Sequence, residues 1–194
     1  DLNEIVKKIQ DLDHKYNYDE IFFDWVRCMF YTYANTCNKV GYSDREEKFK
    51  RIVDKHGKGV IQVFLECHAE LVMLFEKEID DYLGKIYHEL GIHNKMKGQF
   101  FTPFHLSKLM AETRVNELIK ELNSKKRIFI NCSDLDENTI QMAYVQLTIV
   151  GAKAKCENKN SLTGEIFGRW DTFNYSISGN TSLDLEVDYG RYKE

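Results

Sequence analysis

Arg127-Ile128-Phe129-Ile130-Asn131-Cys132-Ser133-Asp134-Leu135-Asp136 marks the point where the periodicity of the chain changes. The apolar run is short, β-branched and aromatic, and it closes on an acidic cluster, which predicts a buried parallel strand. Glu137 to Val150 then reads as a helix. Ile140, Met142, Ala143, Val145, Leu147 and Ile149 are too crowded for one apolar stripe, as expected of a helix lying on a sheet. Gly151 supplies the stop. Ala152 to Asn158 predicts the next strand, completing a right-handed βαβ unit. The fold class expected is α/β.

Upstream, the first hundred residues read as helices. From Tyr18 to about Asn35 the set Ile21, Phe22, Trp25, Val26, Met29, Phe30 and Tyr33 recurs at three- and four-residue steps, a broad buried stripe. Ser43-Asp44-Arg45-Glu46 offers a capping box for a helix running toward Val53. Gly57-Lys58-Gly59 breaks the pattern and reads as a turn, because the rest of a phosphate-loop signature is missing. Val60 to about Ile79 is again strongly apolar, and its aromatic and methionine positions read as core. Downstream, Leu183, Leu185, Val187 and Tyr189 alternate as a final strand would.

Composition narrows the function classes. Apolar residues at 43% of 194 suffice for a real core, and charged residues at 30% leave no apolar run near membrane-spanning length. With no signal segment in view, the expected location is cytoplasmic. Five scattered cysteines (Cys28, Cys37, Cys67, Cys132, Cys156) without a C-x-x-C read as reduced, mostly buried thiols. His88 and His93 fall on different faces of any helix, and Gly91 reads as a stop, so no metal site is expected. A net charge of −4 means that nucleic-acid contact would need a local patch or a partner. Lys95/Lys97 and Lys125-Lys126-Arg127 are local basic clusters, though a short charge run is ordinarily a solvated face.

Two further segments carry chemistry. Gly98-Gln99-Phe100-Phe101-Thr102-Pro103 holds the sole proline of the chain. Thr102 can cap a helix, Pro103 suits its first position, and the two phenylalanines serve either as a hydrophobic staple or as the wall of a site. In open α/β sheets, ligands bind beyond the carboxyl ends of the strands. An acidic residue there can accept from both ribose hydroxyls. Asp134 fits that role and Asp136 fits a helix cap. Asn160-Ser161-Leu162 follows the next strand, where the Asn160 side chain could read an adenine edge.

Gln99–Pro103, preceded by Asp81-Tyr82-Leu83-Gly84-Lys85-Ile86-Tyr87, resembles the opening of the catalytic domain of N6-adenine DNA methyltransferases related to type I modification subunits. The similarity extends over roughly Tyr18 to Asp171 through the helical prefix, Ser133–Asp136 and Asn160–Leu162. It implies a helical N-terminal region (1–97) followed by a shortened Rossmann-like methyltransferase domain (98–194). It implies an S-adenosylmethionine site lined by Gln99, Phe100, Phe101, Thr102 and Pro103, with Asp134 on the ribose and Asn160 on the adenine. It also implies a role in DNA methylation within restriction-modification, with a specificity subunit or other partner supplying DNA recognition.

Two family features are missing. The Gly-rich cofactor loop should stand between Met110 and Arg127, where only Ala111-Glu112-Thr113-Arg114-Val115-Asn116-Glu117 is seen. Either the strand is lost or the printed chain joins residues across a gap between Thr113 and Lys126, which the start at Asp1 rather than methionine favours. The catalytic Asn/Asp-Pro-Pro-aromatic tetrapeptide is also absent. Asp171, or Asn174 with Tyr175, in Trp170-Asp171-Thr172-Phe173-Asn174-Tyr175 could substitute, against a local reading of a turn with packed aromatics. The expected function is methyl transfer to adenine N6 in DNA. The alternatives are a non-catalytic methyltransferase-fold protein, of phage or mobile-element origin, that acts by binding DNA or a protein partner, and methylation of RNA or protein.

Overall fold

The computed structural model describes residues 1–12, 17–92 and 129–177. The Gln99–Pro103 segment, both basic clusters, the Met110–Arg127 question and the Leu183–Tyr189 strand lie outside these residues. The described residues form six helices and three strands: α1 (Leu2–Gln10), α2 (Tyr18–Cys37), α3 (Tyr42–Lys77), α4 (Tyr82–Glu89), β1 (Ile130–Asp134), α5 (Glu137–Ile149), β2 (Ala154–Lys159), β3 (Ile166–Asp171) and α6 (Phe173–Ile177). The α/β class stands. All of these elements belong to one compact unit. No helix among the described residues is long and apolar enough to cross a membrane.

The sheet has the order β1-β2-β3, with β1 parallel and β3 antiparallel to the central β2. β1–α5–β2 is therefore the parallel βαβ unit expected from the change of period at Ile130. β3 was not anticipated. Ile166-Phe-Gly-Arg-Trp-Asp171 has no clean alternation, and its strand character comes from the hairpin with β2. Along β2, Ala154, Cys156 and Asn158 are buried, while Lys155, Glu157 and Lys159 are half-exposed. Such a strand is covered on one face, with α5 as the cover.

α2 is the central helix, and six of the seven residues of its expected stripe are buried: Ile21, Phe22, Trp25, Val26, Met29 and Phe30 are all 4% exposed or less, while Tyr33 is half-buried. Phe30 meets Tyr144 of α5 edge-on at 5.2 Å and Trp170 of β3 at 5.0 Å. Helical region and sheet thus share one core. The indole of Trp170 folds over Gly168, where an added Cβ would lie 2.3 Å from the ring. Only a glycine leaves that room.

The link from α2 to α3 is built differently from the expected capping box. α3 starts at Tyr42 with Gly41 as its N-cap, at φ 74°, and no side chain caps it. The organising group is instead Arg45, 6% exposed. Its guanidinium donates to Asn35 Oδ1 (2.8 Å), to the Val40 carbonyl (2.8 Å) and to the Asn38 carbonyl, satisfying acceptors at the end of α2. Burial of that cation lowers its pKa from the usual arginine value. Gly57, at φ 75° and ψ 171°, breaks α3 at the expected place, a conformation that residues with a Cβ rarely adopt.

Beside that kink sits a buried charge cluster. Asp24, 4% exposed, accepts from Lys55 (2.6 Å), His56 (2.9 Å) and Arg27 (2.9 Å). Burial alone would raise the Asp24 pKa, but the three hydrogen bonds outweigh it and hold the carboxyl below its ordinary range. A folded-state pKa below the unfolded one stabilises above the unfolded value and loses that stabilisation as pH falls through the folded one. Asp24→Asn should therefore cost about 1.5–3 kcal/mol at neutral pH and flatten the acid limb of stability against pH. Urea titrations of both proteins between neutral and strongly acidic pH measure this. Parallel acid limbs would contradict it.

Candidate functional site

The carboxyl ends of β1 and β2 form the site singled out by the topology. Asp134 ends β1 and is paired in register with Asn158 of β2. The turn from β1 into α5 is held from both directions. Asp134 Oδ1 accepts from the Asp136 N–H at 2.7 Å. Asp136 in turn caps α5, its Oδ1 accepting from Asn138 N–H (2.8 Å) and Thr139 N–H (3.1 Å). The division of labour expected from the sequence holds to this extent: Asp136 is the cap.

Asn158 was not anticipated. It is 8% exposed, and its Nδ2 donates to the carbonyls of Asp134 (3.1 Å) and Leu135 (2.8 Å). A β2 side chain thus ties down the loop that presents Asp134. The available signal was an asparagine on the buried face of a strand otherwise lined by Ala154 and Cys156, since a buried amide requires partners. From the other side, Arg27 of α2 donates to Asn138 Oδ1 at 2.9 Å. The Asp24 cluster is thereby connected to the first turn of α5, and two carboxylates stand at a helix N-terminus, where the backbone dipoles favour them.

The fit to a sulfonium nucleoside is partial. Asp134 is half-buried, and a carboxylate has more lone pairs than its one turn contact uses, so it can still accept from hydroxyls. Leu135 beside it is 62% exposed, an apolar surface suited to the face of a flat base. Asn160 differs from expectation. Its Oδ1, the atom needed to accept from an adenine amino group, already accepts from Leu162 N–H (3.0 Å) and Thr163 N–H (3.3 Å). Its backbone closes the same loop with Glu165 and Gly164. Asn160 builds the β2–β3 hairpin.

The substitute catalytic residues stand elsewhere. Asp171 pairs with Lys155 near the start of β2, three residues from the Asp134–Asn158 pair, or about 10 Å along the strand. Its main chain is taken up by Asn38, whose amide accepts from Asp171 N–H and donates to the Asp171 carbonyl, each at 3.0 Å. Tyr144 OH donates to the same carbonyl at 3.2 Å. Burial raises the carboxyl pKa of Asp171, against the opposing charges of Lys155 and Arg169. Asn174 donates to the Gly151 carbonyl at 2.6 Å, and Tyr175 packs edge-on against Phe129. The packed aromatics of the alternative reading are present, but the segment is the end of β3 and the start of α6 rather than a turn. Gln99, Phe100, Phe101, Thr102 and Pro103 lie outside the described residues.

A cleft also lies between α2 and α3. This cleft of about 110 Å³ is lined by Trp25, Met29, Phe64, Leu65 and others, with Tyr33 OH and His68 Nε2 2.5 Å apart at its polar side. Burial raises the Tyr33 pKa and lowers that of His68, keeping both neutral near pH 7.

Comparison with family models, with curated proteins and with solved structures finds no match for this chain.

The two aspartates should separate cleanly by stability. Asp136→Ala removes a cap serving two N–H groups and should cost about 1 kcal/mol. Asp134→Asn keeps an acceptor for the Asp136 N–H and should stay within about 0.5 kcal/mol of the parent. Chemical denaturation compares them, and the reverse order would make Asp134 the structural residue.

Proposed function

We propose that this chain is an S-adenosylmethionine-binding protein of the N6-adenine DNA methyltransferase type, directing methyl transfer to adenine N6 in DNA. The observation that carries the reading is Asp134, a half-buried carboxylate at the end of a strand in a parallel βαβ unit, braced by Asn158 and by the Asp136 cap. The resemblance of Gln99–Pro103 to the family's motif supplies the cofactor, and a Rossmann-like sheet extends the βαβ unit in this reading. When bound, S-adenosylmethionine supplies the electrophilic methyl group. Asp134 contributes orientation by accepting from the ribose hydroxyls, and Leu135 flanks the adenine. DNA recognition comes through a specificity subunit or another partner, since the chain carries a net charge of −4.

A second reading is favoured by a specific observation. The Asn/Asp-Pro-Pro-aromatic tetrapeptide does not occur in these 194 residues, and its substitutes Asp171, Asn174 and Tyr175 lie at the other end of β2. On this reading the chain binds the cofactor or a partner without catalysing transfer.

Calorimetric titration with S-adenosylmethionine tests the shared premise. The parent should bind, and Asp134→Asn should bind about ten- to a hundredfold more weakly, the loss expected of charge-assisted hydroxyl contacts. Equal affinities would remove Asp134 from the site. A radiolabelled methyl-transfer assay on adenine-containing DNA then separates the readings, since binding without incorporation leaves only the non-catalytic one.

A further inference from the structure

Cys132 of β1 and Cys156 of β2 occupy directly opposed positions in the parallel ladder. Their sulfur atoms are 3.2 Å apart, on the sheet face that α5 covers. Paired residues on adjacent strands have backbones about 4.8 Å apart, inside the ~4.4–6.8 Å that a disulfide spans. Cys156 is fully buried and Cys132 only half-buried, so Cys132 is the more accessible of the two. We propose that Cys132 and Cys156 form a reversible peroxide-reactive dithiol, with Cys132 as the attacking thiol and Cys156 as the resolving one.

The surroundings assign the order of events. A Cys132 thiolate accepts from the neighbouring Cys156 thiol, which eases its ionisation against burial and against the charges of Glu157 and Asp134. Cys156 is held protonated by that same hydrogen bond and by burial. The other two buried cysteines lack such help: burial pushes the thiols of Cys28 and Cys67 up to about 12. The pair lies two positions along the ladder from Asp134 and Asn158, but the proposal does not rest on the methyl-transfer reading.

With hydrogen peroxide as oxidant the step balances. The Cys132 thiolate attacks one peroxide oxygen and the O–O bond breaks. Cys132 becomes a sulfenic acid, and the departing hydroxide takes up a proton as water. Cys156 sulfur then attacks Cys132 sulfur, forming the S–S bond and breaking the S–O bond. The second hydroxide leaves with the Cys156 proton as water. Two electrons pass from the sulfur pair to the peroxide. The product crosslinks the adjacent strands β1 and β2 beneath α5.

The test treats the reduced full chain with hydrogen peroxide, blocks remaining thiols with an alkylating reagent and maps the peptides by mass spectrometry. The expected product lacks two hydrogen atoms, carries a Cys132–Cys156 crosslink, and reverts with dithiothreitol. Cys132 should be consumed at least about tenfold faster than Cys28 or Cys67. In Cys156→Ser, Cys132 should instead accumulate as a sulfenic acid that dimedone traps. If that variant does not fold, the parent map alone decides. Recovery of Cys132 and Cys156 as alkylated thiols after peroxide treatment, or crosslinks joining other cysteines instead, would overturn the proposal.

Discussion

Phe30 of α2, wedged edge-on between Tyr144 of α5 and Trp170 of β3, is the contact on which the rest of the arrangement depends. The three-stranded sheet buries one face under α5. It gains a further apolar contact from a helix contributed by the other half of the chain. The aromatic contact is reinforced at the rim by polar groups that would otherwise be orphaned. Asn38 offers its amide to the main chain of Asp171 much as a neighbouring strand would, and Tyr144 completes the set. The outer edge of β3 at Asp171 is thereby satisfied by a helix end.

The same coupling sets the geometry at the other end of the sheet. Asp24, Arg27 and Asn138 form a chain of charge-assisted and neutral hydrogen bonds from the centre of α2 to the first turn of α5. Gln146 adds a second tie, donating to the α4 cap residue Asp81 at 3.0 Å and accepting from Leu83 N–H at 3.2 Å. With α5 held at its start by α2 and near its end by α4, the β1–α5 turn has little freedom. Asn158 removes most of what is left. Asp134 is thus presented by a turn tied down from both sides, the arrangement that its proposed positioning role calls for.

Much of this was legible in the residues themselves. The α2 stripe, the break at Gly57, the strand before Asp134, the Asp136 cap and the stop at Gly151 all rest on local rules of period, capping and backbone freedom. What was not legible depends on distant partners. β3 is a strand because β2 lies beside it, and Gly168 makes sense only beneath the Trp170 ring. Arg45 looked like the interior of a capping box but gathers carbonyls from the end of the preceding helix. Asn160 and Asn158 are two residues apart in one polar run, and only the hairpin shows that the first closes a loop while the second braces Asp134. Side-chain amides serve turns and ligands with the same atoms, so sequence alone cannot assign them.

The central physical claim is that α2 and the β1–β2–β3 sheet are one cooperative unit. Native-state hydrogen exchange measures this most directly. The account predicts that the slowest amides of α2 and of the central strand β2 open with the same free energy, and that both move together when denaturant is added. A sheet whose β2 amides exchange through a separate, lower-energy opening while α2 stays protected would contradict it.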